Sequence, residues 1–565
     1  MAAPGDAAAA AAVAAACAGL PLALRIAAEH LVARPYLSVA ALADELRDER
    51  RRLDVLDSDG DEQTALRTVF AWSYRSLTPD QARAFSLLGA HFGVDLDRRS
   101  AAELLGGPPA GAARQLDALI RGHLVRPVGA DRFDMHDLLR AYAAERADEL
   151  AEDERRAALT RLLDHYRAHA ALAMNVLIPS EWARRPTVTA PENPDPAVAD
   201  AAGSRAWLTA NLANLVAAVG FAADNGWPEH ATQLATIIGR FLENGAHFEA
   251  AVEVHQHALR VTRARGDRAG EANCERYFSV IRGRIRRFDL AAEHARRALD
   301  LATGLGDRLA MAQAMNLLGT FLWQQNQFAE ALPHLDNALR MVEELGQRGA
   351  MVITLANLTG LHNDWGRYEQ AAAYGERALA IAVEIDDKPA AARAEGNLAT
   401  TYEHLGRHAE ALALRQRSYE LFRVTGIHIL ASQAQARLAN SLRLMGRADE
   451  ALSCAEEALA VAREISDRPG EAEALEVRAL LRRDARSTDA AEADFAAAFD
   501  IAVEVNDRRR MASALVGLAE LCAATDRPDE ARTHAGGAQA IAVELGDRPV
   551  IDRAEALLAA LANVR

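Results

Sequence analysis

From about residue 229 onward, apolar and polar positions repeat with a period of forty residues. Ala251, Ala291, Ala331, Ala371, Ala411, Ala451, Ala491 and Ala531 stand forty apart without exception. A second small row follows seven positions later, at Ala258, Ala298, Ala338, Ala378, Ser418, Ala458, Ala498 and Ala538. A third runs Gly239, Ser279, Gly319, Thr359, Ala399, Ala439, Ala479 and Ala519. Large apolar residues precede most of that third row (Ile238, Phe278, Leu318, Leu358, Leu398, Leu438, Leu518), and Arg478 breaks it. The pattern predicts one pair of antiparallel helices per period, such as roughly 390–405 and 408–424. Small residues belong where the two helices cross, because a larger side chain would push the backbones apart.

The turns carry the same period. Gly-Asp-Arg stands at 266–268, 306–308 and 546–548. Variants in phase are Gly346-Gln347-Arg348, Asp386-Asp387-Lys388, Ser466-Asp467-Arg468 and Asn506-Asp507-Arg508, while Gly426-Ile427-His428 keeps only the glycine. The glycine suits a left-handed helix end, and the aspartate suits the cap of the next helix. Asp386 and Asn506 fit the same place, since both tolerate the left-handed region. Eight units are expected over roughly 229–546, with a capping helix over 549–563 to cover the last apolar face.

The front of the chain has another rhythm. Helical periodicity is predicted at about 62–76, 79–90, 97–105 and 110–122. Leu124–Val128 and Arg132–Met135 flank a Gly-containing turn and read as a β-hairpin. A helix starts at His136-Asp137, and another covers about 150–178. Pro186 to Gly203, with Pro191, Pro194 and Pro196, reads as an exposed linker, and helix resumes over 205–226. The expected segments are 1–58, 59–150, 151–204 and 205–565.

Composition narrows the function classes. Ala, Leu and Val carry most of the 50% hydrophobic share, and aromatics are only 5%. Net charge is −16, which argues against non-specific binding to nucleic acid or anionic membrane. Lys388 is the one lysine among the 64 basic residues. That bias, with the alanine richness, points to a GC-rich, bacterial genome. Cys17, Cys274, Cys454 and Cys522 form no CxxC pair, so neither a disulfide framework nor a zinc site is expected. No stretch reads as a membrane span, and Asp6 stands where a signal peptide needs positive charge, so a cytoplasmic location is expected.

The repeat resembles the tetratricopeptide repeat. Its small–large pattern matches at Leu398, Ala399, Tyr402, Gly406, Ala411 and Ser418, and again at Leu438, Ala439, Leu442, Gly446, Ala451 and Ala458. The expected fold is therefore all-α: a tetratricopeptide superhelix of about eight forty-residue helix–turn–helix units. A small helical segment and a winged-helix domain with one short β-hairpin precede it. Gly19-Leu20-Pro21-Leu22-Ala23 resembles the GLPLA motif of the NB-ARC, or STAND, switch ATPases. Phe133-Asp134-Met135-His136-Asp137 resembles their MHD motif at the end of the winged helix. In style the chain is similar to bacterial antibiotic-regulatory (SARP-type) regulators with a tetratricopeptide tail. By that resemblance Pro21 lies beside the adenine of a bound nucleotide and His136 reaches the ADP β-phosphate. Read locally, Pro21 starts a helix and His136 caps its own.

The resemblance has a gap. The family's P-loop needs a lysine, and Lys388 lies in a repeat turn, so this sequence holds no Walker A site. The expectation is the distal part of such a regulator, from a truncated or split gene, with no ATPase core and no SARP-type DNA-binding domain. ADP or ATP then binds only with a P-loop from a missing segment or a partner. Residues 60–150 hold eleven arginines against thirteen acids, which argues against direct DNA binding by the winged helix.

His165 and His169 share a helical face, as in a zinc site, but the glutamate of HExxH is absent and an exposed pair is expected. His255 and His257 diverge on a helix. No nucleophile elbow, paired-carboxylate motif or metal cluster appears, and no enzyme is expected. In tetratricopeptide superhelices ligands bind mainly in the trough lined by each unit's first helix. By register its candidates are Gln313, Asn316, Trp323, Gln324, Asn363, Asp364, Arg393, Glu403, His404, Gln433 and Arg443. Asn and Arg there suit a peptide backbone or carboxylate, and Trp323 suits an aromatic anchor; ordinary solvated positions are the alternative. The reading is a protein- or peptide-binding regulatory module. A plain interaction scaffold and a winged-helix DNA binder are the alternatives.

Overall fold

The computed structural model describes residues 4–16, 24, 27–28, 31–32, 37–46, 66–129, 131–179, 185–191, 193–245 and 247–562. The motif around Pro21 lies outside the described residues. The chain divides into two compact units, Met1–Arg265 and Gly266–Arg565.

The front unit begins with helices α1 (Pro4–Ala16), α2 (Val39–Glu45), α3 (Leu66–Arg75) and α4 (Pro79–Gly89). Then come β1 (Leu96–Asp97), α5 (Arg98–Leu105), α6 (Pro109–Arg121), β2 (Arg126–Pro127) and β3 (Arg132–Asp134). Six helices follow: α7 (Asp137–Asp148), α8 (Glu152–Leu177), α9 (Ala201–Ala210), α10 (Leu212–Asp224), α11 (Pro228–Asn244) and α12 (Phe248–Arg265). Thr78 and Gln81 close a capping box at the start of α4. Asp97 caps α5, accepting from the Ser100 N–H at 2.8 Å.

The predicted hairpin is present as β2–β3, and β3 also pairs antiparallel with β1, matching Leu96 to Phe133. A two-residue strand is too short to show alternation, so β1 was not legible. Phe85, Leu116, Phe133, Leu138 and Tyr142 fill the core around it. Arg132 grips Asp95 with two hydrogen bonds of 2.8 and 2.6 Å. Asn214 of α10 donates to the Asp95 carbonyl and carboxylate at 2.9 and 3.0 Å, which ties the strand region to α10. The proline-rich stretch is mostly exposed, but Val198 is buried and the Asp195 N–H donates to His169 Nε2 at 3.1 Å.

That bond overturns the expected exposed histidine pair. His165 and His169 are 6% and 2% exposed, and their rings lie 4.2 Å apart. His169 Nδ1 pairs with the His165 carbonyl at 2.9 Å, so both of its nitrogens are engaged. Burial, and then His169, lower the His165 pKa to about 3.

The second unit is a run of helical hairpins. Its helices are α13 (Arg268–Arg284), α14 (Phe288–Leu305), α15 (Arg308–Gln324), α16 (Phe328–Glu344), α17 (Arg348–Asp364), α18 (Tyr368–Glu384), α19 (Lys388–His404) and α20 (His408–Val424). It continues with α21 (His428–Leu444), α22 (Ala448–Glu464), α23 (Arg468–Asp484), α24 (Thr488–Glu504), α25 (Arg508–Ala524), α26 (Pro528–Leu545) and the single α27 (Arg548–Ala562). These are seven hairpins and a closing helix. The pair α11–α12 is the eighth in the periodic count, although packing assigns it to the front unit, where α11 lies on α8. All eight alanines of the first small row are at most 1% exposed. A Cβ added at Gly319 would stand 2.7 Å from Leu335 Cγ and 3.0 Å from the Ala331 carbonyl oxygen, so the crossing admits no side chain there. Val550, Ile551, Ala554 and Leu561 of α27 are buried, as a terminal cap requires.

The periodic turns behave as their residues dictate. Gly266, Gly306, Gly346, Gly426 and Gly546 have positive φ, and so do Asp386, Ser466 and Asn506. Asp267, Asp307, Asp387, Asp467, Asp507 and Asp547 each accept from the backbone N–H three residues on. The arginine of the tripeptide also has a partner, the glutamate that ends the second helix of its own unit: Arg308–Glu344, Arg348–Glu384, Arg468–Glu504 and Arg508–Glu544. These pairs are about half exposed and contribute little individually. Asp387→Ala is expected to cost about 1 kcal/mol through the lost cap of α19. Urea unfolding checks this; an unchanged midpoint contradicts it.

The break at Arg478 is compensated. Arg478 makes a bidentate pair with Asp494 at 2.9 and 2.7 Å, and Arg482 adds a bond of 2.9 Å. The corresponding positions one unit earlier are Leu438 and Cys454, so an ion pair replaces an apolar contact across the same crossing.

Candidate functional site

In the second unit the first helices of successive hairpins touch one another, as α17 touches α19 and α21 touches α23, while second helices stay farther apart. The array therefore bends with its first helices inside, and they line a trough. Side chains on that inner face are stitched from unit to unit. Asn357 donates to Asn316 at 3.0 Å, and Asn397 donates to the Ala356 carbonyl at 3.1 Å. Asn363 is buried, donates to the Asn397 carbonyl at 3.3 Å and accepts from Thr401 at 2.9 Å. Trp323 leans on α17 at Gly360, where a Cβ would come within 2.4 Å of its ring, and donates to Asp364 at 3.0 Å.

Toward the C-terminal end the same face becomes ionic. Glu403 accepts from Arg415 at 3.2 Å and from Ser441 at 2.5 Å. Arg437 bonds Glu473 at 2.8 Å, and Arg510 pairs with Glu473 at 3.5 Å and with Glu476 at 2.6 Å. Arg483 and Arg553 share Glu520 at 2.5 and 2.7 Å. The electrostatics follow from this mutual pairing. Burial pulls the Glu473 carboxyl up, but Arg437 and Arg510 outweigh it and hold it below the usual range. Glu473 in turn raises Arg437. Arg437 keeps 47% of its side-chain surface exposed although the trough walls crowd it, so a ligand can reach it.

The candidates from the sequence distribute as follows. Asn316, Trp323, Asn363, Asp364 and Glu403 join these contacts. Gln433 donates to Asp467 at 3.1 Å, and Arg443 bonds Asp484 at 2.8 Å. Arg393 is exposed, and Gln313 and Gln324 are half-buried. His404 stacks on Tyr368 with ring centres 4.5 Å apart, at the start of the preceding unit's second helix. Asn357, Asn397, Arg437, Glu473, Glu476 and Arg510 were missed. The legible signals were the phase of 357, 397 and 437, forty apart, and the opposite charges of Arg437 and Glu473 on neighbouring first helices.

In the front unit His136 starts α7 through its backbone and makes no side-chain cap bond. A small cavity nearby is lined by His91, Asp95, Phe133, Asp134, Met135 and Arg140. Burial, and then Arg140, lower the His91 pKa to about 3. Among the described residues one group of potential metal ligands lies together, Glu492, Cys522 and Glu530. Arg527 already pairs with both of its carboxylates, at 2.5 Å from Glu492 and 3.3 Å from Glu530. No single described helix is long and apolar enough to cross a membrane; only the bent pair α9–α10 passes by length and composition.

Comparison with known proteins agrees with this architecture. The tetratricopeptide repeat model matches residues 310–384, 366–424, 390–464 and 430–504. A model described as anaphase-promoting complex subunit 5 matches 477–564. The chain is 36% identical over 279 residues to the regulatory protein AfsR of Streptomyces griseus, covering 49% of this chain and 28% of that protein. It is 38% identical over 240 residues to the regulatory protein AfsR of Streptomyces coelicolor, covering 41% of this chain and 24% of that protein. The crystal structure of a STAND protein with a tetratricopeptide repeat sensor, from Pyrococcus horikoshii, aligns with a TM-score of 0.52 over 95% of this chain and 74% of that one, at 16% identity. The chain thus carries tetratricopeptide repeats, resembles AfsR regulatory proteins in sequence, and spans about a quarter of their length.

Proposed function

We propose that the chain is a non-catalytic, cytoplasmic regulatory module whose trough binds a peptide or a segment of a partner protein. The observation that carries this reading is the polar ladder on the first helices. Asn357, Asn397 and Arg437 lie on three successive inner helices, at register positions forty apart. An extended peptide offers amide groups at short, regular intervals, and a row of amide and guanidinium groups suits them. The resemblance to AfsR regulatory proteins supports a regulatory role for such binding. In the front unit the order helix, strand, two helices, two strands supports the winged-helix reading, and on that reading this part relays the bound state. The same reading assigns ADP contact to Pro21 and His136, with the P-loop supplied by another segment.

Panning a library of random peptides about twelve residues long against the full chain tests the trough. Enriched peptides are expected to lose about tenfold or more in affinity for the triple variant Asn357→Ala, Asn397→Ala, Arg437→Ala, with its melting curve as the folding control. Peptides that bind the variant equally well, or no enrichment, would remove the trough from the account. Calorimetric titration of ADP against the chain alone is expected to show no binding; binding that His136→Ala abolishes would contradict the need for a P-loop from another segment.

A further inference from the structure

One turn of the array reaches far back along the sequence. Arg286, in the turn between α13 and α14, donates to the Asn506 carbonyl at 3.3 Å and to Asp507 at 2.9 Å. Arg509, on the first turn of α25, pairs at 3.0 Å with Asp364, the last residue of α17. Asp364 also accepts from Trp323 of α15 at 3.0 Å. The turn 506–510 therefore bonds the inner-helix ends of two earlier hairpins, across sequence separations of 221 and 145 residues, and through Asp364 it reaches Trp323 of a third. The ladder bonds, Trp323–Asp364 among them, join neighbours; the bonds of Arg286 and Arg509 join hairpins far apart in the array.

We infer that this turn is a clasp that closes the array in its ligand-free state and that ligand in the trough opens it. Three features support a clasp that can release. Its ion pairs are partly exposed, Arg509 at 44% and Asp364 at 27%, so the free energy holding them is small. Arg286 is desolvated, and although Asp507 holds it, Arg510 and Arg509 repel it; its pKa lies below the usual arginine value. Asp364, which faces the trough, is held by Arg509 and also accepts from Trp323, so a ligand anchored on the indole disturbs the acceptor that the clasp uses. The last point rests on the reading of the trough as the binding surface; the closure itself does not.

Hydrogen–deuterium exchange on the full chain tests both parts. Arg509→Ala is expected to raise exchange in segment 362–367 about fivefold, although that segment lies 145 residues away. Asp364→Arg is expected to do the same in 508–511, and the swap Asp364→Arg with Arg509→Asp to restore 508–511. Unchanged exchange at 362–367 in Arg509→Ala, or no restoration by the swap, would overturn the clasp. Adding a panned peptide to the unmodified chain is expected to raise exchange at 505–510. A fall there would overturn the gating while leaving peptide binding in place. If panning yields no peptide, the ligand-free measurements still judge the clasp.

Discussion

Leucine in place of Ala411 is expected to destabilise the array by about 3 kcal/mol, while leucine at Ala409, two positions away, changes it by about 0.5 kcal/mol or less. Ala411 is fully buried where α20 crosses α19, among Leu398, Ala399, Tyr402 and Leu414. Every added carbon there must displace its neighbours, because the crossing distance is set by a side chain no larger than a methyl group. Ala409, about half a turn earlier, faces solvent on the opposite side of the helix. Unfolding in urea, read by circular dichroism, measures the difference. Repeat arrays are stabilised by neighbour contacts, so the loss should spread to the flanking hairpins before it reaches the front unit. Equal stability of the two variants would contradict the assignment of the small rows to the crossings.

Acidification is expected to weaken the front unit more than the array. His91 and His165 are buried and neutral, each with a folded pKa near 3 against about 6.5 unfolded. The unfolded chain therefore binds more protons between those values, and stability falls as pH falls through that window. Between pH 7 and pH 5 each histidine removes roughly 2 kcal/mol. Above about pH 7 neither contributes a slope. In the array His362 is a buried histidine whose pKa is also lowered, so its slope has the same sign but fewer contributors. Hydrogen exchange at pH 7 and pH 5, corrected for intrinsic rates, resolves the two units. The double variant His91→Phe, His165→Phe should flatten the front unit's response. A slope unchanged in that variant would contradict the account.

Much of the array was legible because a superhelix poses the same packing problem every forty residues, so each constraint is written eight times. The rows at Ala251 to Ala531 and the Gly-Asp-Arg turns needed no tertiary information. Four things escaped. The strand Leu96–Asp97 is too short to leave a period. The burial of His165 and His169 depends on Asp195 folding back over them, which the proline-rich composition hides. Most trough contacts join positions 33 to 41 residues apart on different hairpins, a spacing visible only once the inner face is known. The clasp was out of reach altogether, since the partner of Arg286 is set by the pitch of the superhelix and not by any local pattern.

The most direct test of the trough as the binding surface is the exchange footprint of a panned peptide on the full chain. Protection is expected on the inner helices, centred on Asn357, Asn397 and Arg437. Protection confined to the second helices of the hairpins, or to residues before 266, would contradict it.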